Sequence, residues 1–456
     1  MAVDRSRLPA AGTDAAFRFP AIVRHTLSNG LDVRTVEHRA VPVITMVLQI
    51  EGGSGADPAS REGLAAVTAD MIDEGTGSLT AIEVSDAIAR LGAEYDVDVG
   101  ADVTTFGLTT LERLSERGMA LLADLVIRPS LRDMDFARVR QLRLDRLRQL
   151  KDVAPAVAER AFLRLIYGDH PYGHLAIGSD SALRALTVEH VNAFHASRFV
   201  PSQSTLILAG NLTHERMQTL AEEMFGGWAD SAVPVTRGRA SEIDPSDAAG
   251  PPLAIVPRDG ASQSELRIGH LSVRRNNPDY APLLVMNSVL GGQFVSRVNL
   301  KLREEKGYTY GARTGFDWRR GRAPFSLHAS VHTAATAEAV QDALAELAGI
   351  RAARPVTAPE LALAKASLTK GYPRNFETAG QVARAVAQLA LYGLPDTYFQ
   401  EFVPKVNAVT GDDVSRVAAE YLDPARLTTL VVGDHSAIAD SLSRVMGDPL
   451  VISPEV

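Results

Sequence analysis

The chain has no cysteine in 456 residues, which excludes disulfides, thiolate metal sites and cysteine nucleophiles and leaves the compartment open. It also lacks a basic excess: 47 Lys and Arg stand against 55 Asp and Glu, a formal net charge of -8. A nucleic-acid binder would carry a basic footprint, so none is expected as a partner. No apolar run is long enough for a membrane span. Met1 to Pro9 places charge where a secretory signal has its apolar core, so as written the chain reads as soluble and cytoplasmic, or periplasmic if a signal was removed. The nucleophile motif G-x-S-x-G is missing as well. Gly52-Gly-Ser-Gly55 has neither the Lys-Ser/Thr of a P-loop nor the spacing of a dinucleotide fingerprint, and reads as a turn.

What is present is an ordinary globular composition, 46% apolar and 22% charged, in a chain too long for one hydrophobic core. It repeats internally. Leu186 to Val191, Pro201 and the strand-like Ser204 to Gly210 return as Val409 to Val414, Pro424 and Leu427 to Gly433, with Val191/Val414, Pro201/Pro424 and Gly210/Gly433 each offset by 223 residues. Each copy reads as helix, proline turn and β-branched strand closed by glycine. Each half also opens on strand-like segments, Val41–Ile50 and Ser264–Leu271. The pattern predicts two related α+β domains, 1–228 and 251–456. The Pro-, Gly-, Ser- and Asp-containing stretch 229–250 is the expected linker.

The most telling segment is Gly63-Leu-Ala-Ala-Val-Thr-Ala-Asp-Met-Ile-Asp-Glu-Gly-Thr76. It resembles the G-x-A-H-F-L-E-H-M-L-F-K-G-T frame of the pitrilysin/insulinase metallopeptidases, whose H-x-x-E-H is an inverzincin motif. Two histidines four apart on a helix reach one ion, and the glutamate beside them takes a proton from bound water. Here the histidine positions are Ala66 and Asp70, and the base position is Ala69. The family's third ligand is a glutamate on another helix, in a pattern like V-V-L-E-E-I followed by D-x-P. Leu142-Arg-Leu-Asp-Arg-Leu147 before Asp152-Val-Ala-Pro155 puts Arg146 there, so a cation is expected to face the site. A one-residue slip would offer Asp145 with Asp70, a poor zinc set without histidine.

Other motifs extend the resemblance over nearly the whole chain. His170-Pro-Tyr-Gly173 with Gly178 is similar to the family's H-P-Y-G-x-x-x-x-G, and Leu302-Arg-Glu-Glu-Lys-Gly-Tyr-Thr-Tyr310 to its L-R-E-x-x-G-L-x-Y. Phe294, Val298 and Leu302 fall at i, i+4 and i+8, which predicts an amphipathic helix capped by Gly307 and followed by a strand. Taken alone, Arg303-Glu-Glu-Lys306 is a charged helix end. The resemblance implies more: the family carries an arginine and a tyrosine in its C-terminal domain that hydrogen-bond substrate near the scissile bond, which selects Arg303 and Tyr310. Tyr308 should point the same way as Tyr310 in a strand, so that choice rests on the family pattern. His170 and His174 are four apart, but Pro171 and Gly173 argue against the helix that would align them. His328 and His332 could share a strand face. The basic run Arg138 to Lys151 reads as a solvated helix face or as a wall facing a partner or an acidic peptide.

The resemblance implies two homologous α/β-sandwich domains of processing-peptidase-like type, forming half of a clamshell. It further implies a non-catalytic subunit of a bacterial heterodimeric zinc peptidase, inactive alone. The chain itself would bind no cofactor, and zinc would sit in a homologous partner with intact H-x-x-E-H. Peptide or unfolded protein would be the substrate, held through Arg303 and Tyr310. The alternatives are a structural or peptide-binding protein of the same fold, and an independent hydrolase with a displaced site.

Overall fold

The computed structural model describes residues 17–230, 240–245 and 250–453. The N-terminal segment and most of the expected linker 229–250 lie outside the described residues. Two six-stranded sheets organise the chain. The first is built from β1 (Val23–Thr26), β2 (Asp32–Glu37), β3 (Val43–Glu51), β6 (Glu94–Val99), β7 (Val103–Leu111) and β8 (Ser204–Gly210), in the order β1-β2-β8-β3-β7-β6. Between β3 and β6 lies the short hairpin of β4 (Gly75–Thr76) and β5 (Leu79–Thr80). The second sheet uses β9 (Leu253–Pro257), β10 (Gln263–Leu271), β11 (Thr309–Phe316), β12 (Pro324–His332), β13 (Thr428–Gly433) and β14 (Leu450–Val451). Read from its far edge it runs β14-β9-β13-β10-β12-β11.

The two orders are the same plan. In each, the strand at the end of the repeat (β8 or β13) lies parallel to one neighbour (β2 or β9) and antiparallel to the long strand on its other side (β3 or β10). The helices before them, Val188–Arg198 and Gly411–Tyr421, keep the 223-residue offset, as do the proline turns at Pro201 and Pro424. Only the outermost strands differ, since β1 pairs antiparallel and β14 parallel.

The duplicated halves do not keep their helices to themselves. The helix Ala154–Tyr167, from the first half, packs Ala158, Phe162 and Ile166 on Ala254, Leu271, Leu430 and Val432 of the second sheet. Its counterpart Ala379–Tyr392, from the second half, packs Val382, Ala383 and Val386 on Val36, Val47, Ile207 and Ala209 of the first. Each sheet is thus covered on one face by the other half's helix, which couples the two cores. Both helices present an apolar stripe at helical spacing. A stripe announces burial without naming the surface it is buried against. Among the described residues no helix is long and apolar enough to cross a membrane.

Candidate functional site

The frame helix Leu64–Asp70 is anchored at its N-terminus by side chains. Asp57 is buried; its Oδ2 accepts from the Gly63 amide and its Oδ1 from the Ala65 amide, both at 2.7 Å. Those amides are orphan donors at a helix start, and a carboxylate is the group their partial positive charge favours. His174 Nε2 lies 3.1 Å from the same Oδ2 and orients it. His170 fixes the turn instead: its Nδ1 accepts from the Tyr172 amide at 3.0 Å, and its Nε2 lies 2.9 Å from the Ile243 carbonyl. Neither histidine is on a helix. The His170-Pro-Tyr-Gly173 segment serves the frame as a brace.

Gly178 completes the brace. Its φ is +83°, and a Cβ there would stand 2.4 Å from the Glu62 carbonyl oxygen, while Gly63, at φ +95°, packs on Gly178 in return. Two backbones meet where no side chain fits. Gly178→Ala is expected to destabilise the chain by about 2 kcal/mol or more, because left-handed strain adds to a backbone clash. Urea unfolding monitored by circular dichroism measures this; an unchanged midpoint would show that the contact is soft.

At the ligand positions the donors are gone. Ala66 and Ala69 are buried methyl groups, 2% and 0% exposed. Asp70 is taken by an arginine: Arg143 Nε donates to its Oδ2 at 2.6 Å, and Arg143 Nη2 donates to the Ala66 carbonyl at 3.1 Å. The cation facing the frame is therefore Arg143, a correction to the expectation for Arg146, which is exposed and donates to Gln149 at 3.3 Å. The reason is helical facing. In the helix Asp133–Lys151, Val139 and Leu147 are buried, and Arg143, four residues from each, lies between them on the helix surface, whereas Arg146 lies on the outer side of Val139 at the edge of that stripe. The slipped alternative fails too, because Asp145 pairs with Gln141 and Arg148 of its own helix. Two alanines and a carboxylate already neutralised by arginine do not fit zinc. Among the described residues no three His, Cys, Asp or Glu side chains are grouped to hold a metal.

Just beyond the frame helix, burial pushes Asp73 up to about 6, helped by the nearby Glu74 and Asp70. A raised carboxyl favours the fold in its protonated form, so its contribution is present below the ordinary value of 3.8 and is lost as pH rises through about 6. Asp73→Asn should then stabilise the chain by roughly 1 kcal/mol at pH 8, discounted for its partial exposure, and by almost nothing at pH 4. Thermal melts at both values check it. A pH-independent effect would remove Asp73 as the titrating group.

The second cluster lies in the other half. A turn of helix at Arg297–Asn299 continues as a wider π-helical turn over Leu300–Glu305, ending before Gly307 at φ +66°. Val298 and Leu302 are buried as expected, but Phe294 precedes the helix and is 64% exposed. Its ring instead supports Arg303, whose guanidinium carbon lies 4.4 Å from the ring centroid. Arg303 Nη1 is also 3.3 Å from Glu304 Oε1. Tyr308 and Tyr310 separate, contrary to the expectation from alternation. Tyr308 packs on the core, while Tyr310 is 87% exposed. The register slips between Thr309 and Ala312 against β12, a bulge that re-aims the side chain. Tyr310 and Phe294 share the lining of one cavity of about 520 Å³ with Gly291, Gly292 and Arg267, so Phe294 links Arg303 to the space that Tyr310 faces.

His328 also borders that cavity. Burial, then Arg267 and Arg313, hold it down at about 3, so it stays neutral, with Nε2 2.7 Å from Ser326 Oγ. It lies on β12, at whose end His332 is exposed. The Gly52–Gly55 segment is a turn, its Ser54 and Gly55 amides spent on the carbonyls of Gly100 and Ala101.

Two family models match in sequence: the insulinase (peptidase family M16) domain over residues 33–178 and the peptidase M16 inactive domain over residues 185–368. The chain belongs to this peptidase family. An uncharacterized zinc protease of Mycobacterium leprae is 25% identical over 426 residues, 92% of this chain and 94% of that protein. A probable mitochondrial-processing peptidase subunit beta of Schizosaccharomyces pombe is 24% identical over 61% of this chain and 60% of its own length. Among solved structures, a peptidase M16 inactive domain from Pseudomonas fluorescens superposes with a TM-score of 0.83 at 22% identity, over 90% of this chain and 98% of that one. A protease from Helicobacter pylori gives 0.84 at 20% identity, over 91% and 99%. Both solved structures share the two-domain fold.

Proposed function

We propose that this chain is the non-catalytic subunit of a bacterial heterodimeric zinc metallopeptidase, with 1–228 and 251–456 as its two domains joined by 229–250. The observation that carries this reading is the contrast at the frame. The brace of Asp57, His174, Gly63 and Gly178 is complete, while the ligand and base positions hold two methyl groups and an Arg143–Asp70 ion pair. The zinc would belong to a homologous partner carrying H-x-x-E-H. This chain would supply chamber wall and substrate grip: Tyr310 is exposed at a cavity, and Arg303 is stacked on a residue lining it. Peptides and unfolded segments fit that role, because β6 and β11 end their sheets and an extended chain can add to such an edge.

The test is reconstitution. Peptide cleavage should appear when this chain is mixed with a family member that retains the motif, and should be far slower with either protein alone. A partner as fast alone as in the mixture would reduce this chain to a structural or peptide-binding protein of the same fold.

A further inference from the structure

The basic run that ends the helix Asp133–Lys151 does not face bulk solvent throughout. Its last turn, the first turns of the helix Ala154–Tyr167 and the segment around 175–184 enclose a cavity of about 540 Å³, within the range of small-molecule sites. The floor is aliphatic, formed by Leu147, Leu150, Val157 and Leu175. The rim carries four cations, Arg148, Lys151, Arg160 and Arg184, against one carboxylate, Asp180.

The charge balance at this rim is uneven. Arg184 holds Asp180 by two bonds, 2.7 and 3.1 Å long, and Lys151 and Arg148 also bear on that carboxylate. Arg148 has its partner, Asp145, on its own helix, outside the cavity lining. Arg160 donates to the Gly178 carbonyl at 3.0 Å, and burial disfavours its charge while Glu62 favours it. Guanidinium and ammonium groups lining one cavity with an aliphatic floor match one ligand chemistry, an oxyanion head on an apolar body. The planar fork of arginine suits carboxylate or phosphate, and partial enclosure strengthens the attraction.

We infer that this cavity is a binding site for a small amphipathic organic anion, with the head held by Lys151, Arg160 and Arg184 and the apolar body lying on Leu150 and Leu175. The cavity shares no lining residue with the one that Tyr310 faces and meets the frame's brace where Arg160 bonds the Gly178 carbonyl; the inference does not depend on the peptidase reading.

Titration calorimetry of the full chain with octyl phosphate and with octanoate tests it, with inorganic phosphate and octyl glucoside as probes for head and tail alone. Saturable one-to-one binding of either amphipathic anion is expected, at least about tenfold tighter than either control and weakening with salt. The two anions distinguish phosphate from carboxylate heads. Lys151→Glu, at an exposed position, should weaken binding by about tenfold or more with the fold intact. Leu175→Asp should abolish it by charging the floor. Absence of saturable binding, octyl glucoside binding as tightly as the anions, or wild-type affinity in a folded Lys151→Glu protein would each overturn the inference.

Discussion

Arg303→Ala or Tyr310→Phe, assembled with a zinc-bearing partner, is expected to lower kcat by on the order of 10²-fold, with much less effect on complex formation. A preorganised donor aimed at developing oxyanion charge is worth about that much, and less if it only positions the peptide backbone. Both side chains are placed for presentation. Tyr310 is held out by the bulge in β11, and Arg303 is steadied by the Phe294 ring and by a partly exposed pairing with Glu304. Phe294→Ala should therefore reproduce part of the Arg303 loss by freeing the guanidinium. Tyr308→Phe should leave turnover nearly unchanged, because Tyr308 packs on the core. Steady-state kinetics with a peptide substrate, alongside a size-exclusion assay for assembly, separates these outcomes. Wild-type turnover in the Arg303→Ala, Tyr310→Phe double variant would leave this chain a scaffold.

The parts of the molecule legible from sequence are those written locally. The 223-residue offset marks the matching helix, proline turn and strand because each is specified by neighbouring residues: a helical stripe, Pro201 or Pro424, and a β-branched run closed by glycine. The exchange of Ala154–Tyr167 and Ala379–Tyr392 between sheets is not written this way, since the apolar stripe that buries Phe162 or Val386 would serve equally well on either sheet. The bulge that parts Tyr308 from Tyr310 depends on pairing with β12, a partner remote in sequence. Phe294 fits the buried stripe by spacing, yet the helix starts only at Arg297. The brace is half visible in the sequence: Gly63 and Gly178 belong to the two family-like segments, while Asp57, six residues before Gly63, carries no motif of its own. The family pattern selects Arg146 by distance along the chain, whereas the buried Val139 and Leu147, four residues to either side of Arg143, mark Arg143 as lying on the inward stripe.

That stripe gives the sharpest prediction about the lost metal site. Ala66→His, Asp70→His and Arg143→Glu together should restore stoichiometric zinc binding, whereas the set with Arg146→Glu in place of Arg143→Glu should not. Arg143 is the residue whose guanidinium touches both Asp70 and the Ala66 carbonyl. Replacing it with the shorter glutamate removes a cation and frees volume beside the position where an imidazole must enter. Arg146→Glu would leave Arg143 in place, and its positive charge would oppose the ion. Zinc at about 100 times its dissociation constant should stabilise the Arg143 set by roughly 2.7 kcal/mol, visible as a chelator-reversible rise in melting temperature. Peptide cleavage should not return with these three changes, because Ala69 still offers no base, and adding Ala69→Glu supplies only that base and no supporting shell. Equal zinc uptake by the two sets, or none by a folded Arg143 set, would show that the helix Asp133–Lys151 does not face the frame as these contacts place it.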